Sequence, residues 1–134
     1  LIKWMRVQPK ELLVVPLVGP SSILLAIMAS GMNGQSFAFN GYIPIDASEK
    51  KTALKGLEKL SMDKNQSQIF IETPYRNNKM LEDILNALHP ETHLCVATDI
   101  TLPTEYIKTM RVVNWKKAKV DLHNRPTIFI IHKM

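Results

Sequence analysis

The sequence predicts a layered α/β domain, with a mixed sheet of about five strands flanked by helices. Two observations favour this class. Short, β-branched apolar runs alternate along the chain with longer segments whose apolar residues recur at helical spacing. The chain of 134 residues is also long enough to bury one core. Strands are expected near 12–17, 36–41, 67–72, 93–100 and 127–132, and helices near 21–30, 48–61 and 77–88.

The first strand leads through a tight turn into the first helix. Pro20 suits a first helical turn, Ser21 or Ser22 can accept a hydrogen bond from a free amide there, and Gly31 suits a left-handed helix end. Unpaired amides and the helix dipole meet the carboxyl end of a strand at such a turn, where open sheets bind polar ligands. The alternative is an ordinary serine-capped connection.

The later elements follow from similar local signals. Ser48 is expected to cap the second helix, and Asn77 or Asn78 begins the third, whose apolar residues form one stripe. Between the last two main strands, 107–113 is expected to form a short strand and 113–119 a helix.

Composition excludes several classes of protein. With 46% apolar and 22% charged residues, the chain is neither disordered nor membrane-spanning, and we expect a cytoplasmic protein with no membrane contact. The net charge of +5 is compatible with an RNA partner, but the basic residues are dispersed. The single cysteine, Cys95, is expected to pack as a small apolar residue.

Familiar catalytic signatures are missing from the sequence. The four histidines, His89, His93, His123 and His132, lack the spacing of a metal site, so no metal is expected. Gly19-Pro20-Ser21-Ser22 is not a nucleophile elbow, and the glycine-rich phosphate-binding motifs do not occur.

Four blocks, however, resemble in order and spacing the carboxy-terminal half of the tetrapyrrole (corrin/porphyrin) methylase superfamily. The likeness is closest to its ribosomal RNA ribose 2′-O-methyltransferase branch and covers roughly residues 10 to 131. The blocks are Gly19-Pro20-Ser21-Ser22, Ser36-Phe37-Ala38-Phe39-Asn40-Gly41-Tyr42-Ile43-Pro44, Glu72-Thr73-Pro74-Tyr75-Arg76 and Ala97-Thr98-Asp99-Ile100-Thr101-Leu102-Pro103-Thr104-Glu105.

The resemblance implies an S-adenosylmethionine-dependent methyltransferase, a class that needs alignment of three atoms more than a catalytic triad. It further implies a cofactor pocket at one edge of the sheet. The residues expected to line that pocket are Ser21, Ser22, Glu72, Thr73, Ala97, Thr98, Pro126 and Thr127.

Other polar residues are assigned to the methyl acceptor. Arg76 could clamp an anionic group and Thr101 lies in the polar loop, while Asp99 and Glu105 are candidates for a catalytic base. The alternative for Arg76 is an ion pair with Glu72 that braces the loop.

The chain departs from the ribosomal RNA branch at four positions. Thr98, Leu102, Thr104 and Tyr75 stand where that branch has Arg, Lys, His and His. Because phosphate contacts come from such basic side chains, the departures bear on the acceptor and leave the cofactor expectation unchanged. A corrin, a porphyrin or a small metabolite stays open as acceptor beside ribosomal RNA cytidine.

The expected domain organisation also comes from the resemblance. Residues 1–11 are expected to end the last helix of an amino-terminal domain, and 12–134 to form the carboxy-terminal methylase domain. Family members bind the cofactor between the two domains and pair as homodimers. We therefore expect residues 1–134 alone to bind cofactor weakly or not at all and to transfer no methyl group. A non-catalytic dimerisation or binding module is the remaining alternative.

Overall fold

The computed structural model describes Val14 and residues 21–134. The expected strand 12–17, the helix end at 1–11, and Gly19 and Pro20 therefore lie outside the described residues. Within them the elements are, in chain order, α1 Ser22–Ser30, β1 Phe37–Tyr42, α2 Ala47–Asp63, β2 Ser67–Ile71, a 3₁₀ turn Pro74–Arg76, α3 Asn77–Ala87, β3 His93–Thr98, β4 Tyr106–Arg111, α4 Val112–Trp115 and β5 Thr127–His132.

The five described strands form one mixed sheet in the order β1-β2-β5-β3-β4. β1 and β2 are parallel, and β5 is antiparallel to both β2 and β3. β4 is antiparallel to β3. Consequently β1, β2 and β3 run in one direction and β4 and β5 in the other. The predicted fold class is confirmed, although the fifth described strand is β4 rather than the segment at 12–17.

Helices cover both faces of this sheet. Alternation along the strands places Phe70, Val96 and Phe129 on the face packed against α2, α3 and α4. Cys95 and Ile130 lie on the other face, in the cluster that includes α1. Burial raises the pKa of the Cys95 thiol, which fits its expected role as a packing residue.

The helix ends correct two sequence-based expectations. α2 is capped by Asp46, whose carboxylate accepts a hydrogen bond from the Glu49 amide at 3.1 Å, and not by Ser48. Ser48 instead donates its hydroxyl to Asp46 at 2.8 Å. An acidic cap two residues earlier adds favourable charge to the dipole, and this lengthens the helix at its start. The helix expected at 113–119 is limited to the four residues of α4.

Candidate functional site at one edge of the sheet

One edge of the sheet, here called the upper edge, gathers the ends of all five described strands. β1, β2 and β3 finish there, and β4 and β5 begin there. In the register Ile128 lies opposite both Ile71 and Ala97, so the residues that follow β2 and β3 flank the start of β5. The predicted convergence of these strand ends at one edge is therefore what the structure shows.

The first of two hollows at this edge, the Thr127 hollow, has a volume of about 270 Å³. It lies on the α1 side of the sheet, beside the first residue of that helix. Its lining residues are Ser22, Ala97, Asp99, Ile100, Leu102, Pro126, Thr127 and Ile128. Four of the eight residues expected to contact cofactor meet here, although they come from three distant parts of the chain.

Two other expected contacts lie beside this hollow without lining it. Ser21 is the residue before α1, and its side chain makes no capping hydrogen bond. Thr98 is fully buried: its hydroxyl donates to the Pro126 carbonyl at 3.1 Å and accepts from the Thr127 hydroxyl at 2.8 Å. Thr98 therefore joins β3 to the segment before β5 and supports the hollow from behind.

The second hollow, here called the Glu72 hollow, has a volume of about 580 Å³. It is lined by Tyr42, Ile43, Pro44, Ile45, Glu72, Thr73 and Arg76. Glu72 follows β2 in the register of Phe70, so its side chain lies on the α2 and α3 side of the sheet. Of the eight expected cofactor residues, four line the Thr127 hollow, two line the Glu72 hollow together with Arg76, and Ser21 and Thr98 line neither.

The Glu72 carboxylate is buried and only half satisfied. Its Oε1 accepts hydrogen bonds from the Thr73 amide at 2.8 Å and from the Thr73 hydroxyl at 3.3 Å. Arg76 Nε lies 3.2 Å from the same oxygen, but the pair lacks the alignment of a hydrogen bond. Oε2 is buried and has no partner among the residues that the structure describes. Such an oxygen is costly to leave unpaired, and it is free to accept a donor from a bound molecule.

Arg76 is held by its neighbours as well as by Glu72. Its guanidinium carbon lies 4.7 Å from the centre of the Tyr75 ring, and Nη1 donates to the Tyr75 hydroxyl. The ion pair considered as an alternative is thus present. Since 27% of the Arg76 side chain remains exposed, the pair does not remove the guanidinium from the hollow.

The two candidate bases are engaged in a turn, Asp99–Glu105. Asp99 Oδ2 accepts from Arg125 Nε at 2.7 Å and from the Thr104 hydroxyl at 2.9 Å. The Arg125 hydrogen bond is the main cause that holds the pKa of Asp99 below its usual value, so Asp99 is a weak proton acceptor. Glu105 accepts from the amide of Thr101, which is exposed and lines neither hollow.

Arg125, which holds Asp99, was not singled out by sequence reasoning. It lies directly before Pro126 and far in sequence from Asp99, and no local pattern marks the contact. The apolar lining of the Thr127 hollow, from Ile100, Leu102 and Ile128, was also not singled out. A hint was available in the alternation of β5, which places Ile128 on the α1 side.

The described part of the chain has neither a cluster of metal-binding side chains nor a helix that could span a membrane. Residues 21–134 contain no cluster of three or more metal-binding side chains. No helix in that range is long and apolar enough to cross a bilayer.

Sequence comparison finds curated relatives with one shared name, ribosomal RNA small subunit methyltransferase I. The relative from Vibrio cholerae is 30% identical over 122 residues, which are 89% of this chain and 41% of that protein. The relative from Buchnera aphidicola of Schizaphis graminum is 28% identical over 121 residues, 88% of this chain and 41% of that protein. The chain therefore spans about 41% of the length of these relatives. No protein-family model matches it.

Two solved structures of methyltransferases have the same fold. The cobalt precorrin-4 methyltransferase CbiF superposes with a TM-score of 0.54 at 17% identity, over 85% of this chain and 49% of that one. The methyltransferase CobJ gives 0.52 at 15% identity, over 83% and 47%. The comparisons agree with the resemblance of the four sequence blocks: the chain is similar in sequence to ribosomal RNA small subunit methyltransferase I, and it has the fold of the tetrapyrrole methylases.

Proposed function

We propose that the chain is part of an S-adenosylmethionine-dependent methyltransferase, in which the Thr127 hollow contributes to the cofactor site and the Glu72 hollow receives the methyl acceptor. One observation carries the proposal. Ser22, Ala97 and Thr127 converge on one hollow beside a helix amino terminus, at the edge where β3 ends and β5 begins. The names of the sequence relatives support the reaction class.

The chemistry of the Thr127 hollow fits part of this cofactor. Ala97, Ile100 and Ile128 offer apolar surface to a purine ring or a thioether chain, and Ser22 adds a hydroxyl at the helix start. The volume of about 270 Å³ lies just below the roughly 300–1,000 Å³ typical of a small-molecule site. Because this hollow is too small to enclose the whole cofactor, we expect residues 1–134 alone to bind it weakly.

The bound cofactor would supply a methyl group already activated by a positive sulfur. The task of this chain is then to hold the acceptor in line with that methyl group and to receive a proton where the acceptor is a hydroxyl. Asp99 is poorly suited to the proton, because Arg125 stabilises its charged form. Glu72 lines the acceptor hollow, and its buried Oε2, which has no hydrogen-bond partner among the described residues, can accept a hydrogen bond from a hydroxyl or amino group.

The residues at the lip of the Glu72 hollow indicate which class of methyl acceptor it suits. Tyr42 and Ile45 line it and are exposed, Arg76 is its cation, and the exposed Tyr75 ring packs against Arg76. Aromatic and apolar side chains suit a planar acceptor, a property that an unpaired base and a tetrapyrrole share. The relatives' name favours ribosomal RNA, whereas the dispersed basic residues favour the macrocycle. Transfer assays with small-subunit ribosomal RNA and with a tetrapyrrole distinguish these two acceptors.

Calorimetry with S-adenosylhomocysteine tests the cofactor assignment. We expect weak binding by residues 1–134 and micromolar binding by a chimera in which the amino-terminal part of the Vibrio cholerae relative precedes this chain. Ser22→Tyr fills the Thr127 hollow and should abolish binding by the chimera. Ala29→Tyr, which adds the same bulk on an exposed position of α1, should not.

Two results would count against the assignment. Micromolar binding by residues 1–134 alone would show that the division of the pocket is wrong. A chimera that binds equally well with Ser22→Tyr would remove the Thr127 hollow from the site. A chimera that binds cofactor but methylates neither acceptor would favour a small metabolite.

A further inference from the structure

Arg125 joins three separate segments at the upper edge. Its Nε donates to Asp99 Oδ2 at 2.7 Å, its Nη2 to the Thr104 carbonyl at 2.8 Å and its Nη1 to the Asp121 carbonyl at 2.8 Å. The backbone carbonyl of Arg125 also accepts the side-chain amide of Asn77 at 2.7 Å. Only a planar guanidinium has donors that can point at three partners in this way.

The turn that Arg125 holds is strained. Asp99 has φ +52° and Thr101 has φ +70°, both in the left-handed region that side-chain-bearing residues avoid. For β-branched Thr101 this conformation is a clear outlier, because the branched side chain crowds the backbone there. Strain of this kind persists only where surrounding contacts impose it. In the Asp99–Glu105 turn those contacts include the ion pair of Asp99 with Arg125 and the hydrogen bond that the Thr101 amide donates to the Glu105 carboxylate.

The held turn and the residue after Arg125 form two walls of the same hollow. Asp99, Ile100 and Leu102 line one side, and Pro126 and Thr127 line another. The main-chain link between these walls is the bond from the Asp99 amide to the Pro126 carbonyl at 3.0 Å. Arg125 adds a charged link between them and so controls their separation.

We propose that Arg125 is a positioning residue that sets the width of the Thr127 hollow, and through it the affinity for the cofactor. The inference rests on the proposed function for the identity of that ligand. Arg125 does not line the hollow, so it acts through Asp99 and the turn. A relaxed turn would move Ile100 and Leu102, and small displacements of contact residues weaken binding strongly.

The test uses the full chain, labelled with ¹⁵N, and two substitutions of Arg125. Arg125→Met keeps the length of the side chain and removes charge and donors. Arg125→Lys keeps the charge but cannot reach Asp99, Thr104 and Asp121 at once. Arg111→Met is the matched control, because Arg111 is an exposed arginine in an ion pair with Glu91 at 2.7 Å. Binding of S-adenosylhomocysteine is measured by amide shift titration, and opening of the turn by hydrogen exchange.

We expect Arg125→Met to weaken binding by about tenfold or more, with Arg125→Lys in between and the control unchanged. Exchange at the Thr101 and Leu102 amides should rise in the same order, while the amides of β2 stay protected. That local pattern separates positioning from general destabilisation, which would raise exchange throughout the sheet.

The inference and the proposed function fail in different ways. If the wild-type chain binds and Arg125→Met binds within about twofold of it, the positioning role is overturned and the cofactor assignment stands. If the wild-type chain shows no binding, calorimetry on the chimera decides the cofactor assignment and the exchange experiment decides the inference. Unchanged exchange at Thr101 and Leu102 then overturns it, and faster exchange confined to the turn supports it.

Discussion

Two arginine–carboxylate pairs lie at the upper edge of the sheet, and they differ in how completely each carboxylate is satisfied. Asp99 receives an aligned hydrogen bond from Arg125 at 2.7 Å and another from Thr104. Glu72 has Arg76 at 3.2 Å without that alignment, and within Val14 and residues 21–134 its Oε2 has no partner. The side chains of both acids are almost fully buried, 8% and 2% exposed, so burial alone does not separate them.

The difference indicates two tasks. A carboxylate whose hydrogen bonds are made within the protein holds a shape, as Asp99 holds the strained turn beside the Thr127 hollow. A buried carboxylate with a free oxygen is unfavourable until something donates to it, and this favours contact with a bound molecule. We therefore infer that Asp99 maintains the conformation of the turn, and that Glu72 and Arg76 contact the methyl acceptor. The following predictions test that division.

The largest effect is expected from Arg76→Ala in the chimera. Loss of the guanidinium from the Glu72 hollow should lower turnover about a hundredfold while the affinity for S-adenosylhomocysteine stays unchanged. Lys79→Ala, one turn into α3 and exposed, is the control. Methyl transfer and calorimetry measure the two quantities separately. Unchanged turnover would show that Arg76 only braces the loop.

A smaller effect is expected on the free energy of unfolding. Asp99→Asn loses the ion pair with Arg125. Glu72→Gln keeps an acceptor for the Thr73 amide and should cost about 1 kcal/mol or less. We therefore expect Asp99→Asn to destabilise the chain more than Glu72→Gln. Urea denaturation of both variants measures the difference. Equal destabilisation would remove the distinction between the two carboxylates.

The contribution of Asp99 should also depend on pH. Because its pKa is lowered in the folded state, the stability that it adds is present above the unfolded value of about 3.9 and is lost as pH falls through the folded pKa. Wild type and Asp99→Asn should therefore converge in stability at acid pH. In an Arg125→Met background the effect of Asp99→Asn should shrink at neutral pH as well. Denaturation at a series of pH values checks both.

The smallest effect is expected from Tyr75→Phe. This change removes the hydroxyl that accepts from Arg76 Nη1 and leaves the ring under the guanidinium. Since Tyr75 is exposed, the free energy of unfolding, measured by thermal denaturation, should change by no more than about 0.5 kcal/mol. A large loss of turnover with this variant would show that the hydroxyl, and not the ring, positions Arg76.

The strongly periodic elements could be predicted from the sequence and the contacts between distant loops could not. β2 and α3 lie within a residue of the expected 67–72 and 77–88, because a short apolar run and a single apolar stripe define them locally. α4 stops after four residues although 113–119 was expected, since the following segment packs as an extended chain before β5.

The sequence predicted one cofactor pocket at an edge of the sheet; the structure has two hollows at the upper edge, and the assignment of the cofactor residues stays a prediction. The faces of Glu72 and Ala97 follow from strand alternation only when the register between β2, β5 and β3 is known. Register is a tertiary property that the local pattern does not carry. The Arg125–Asp99 pair was missed for the same reason, because it joins loops that the fold alone brings together.

The central claim is that the Thr127 hollow serves the cofactor and the Glu72 hollow the acceptor. Amide shift mapping of the ¹⁵N-labelled chain with S-adenosylhomocysteine tests it most directly. The account predicts that the largest shifts fall at Ser22, Ala97 and Thr127, with little change at Ile43 and Glu72. Largest shifts at Ile43 and Glu72 would contradict it.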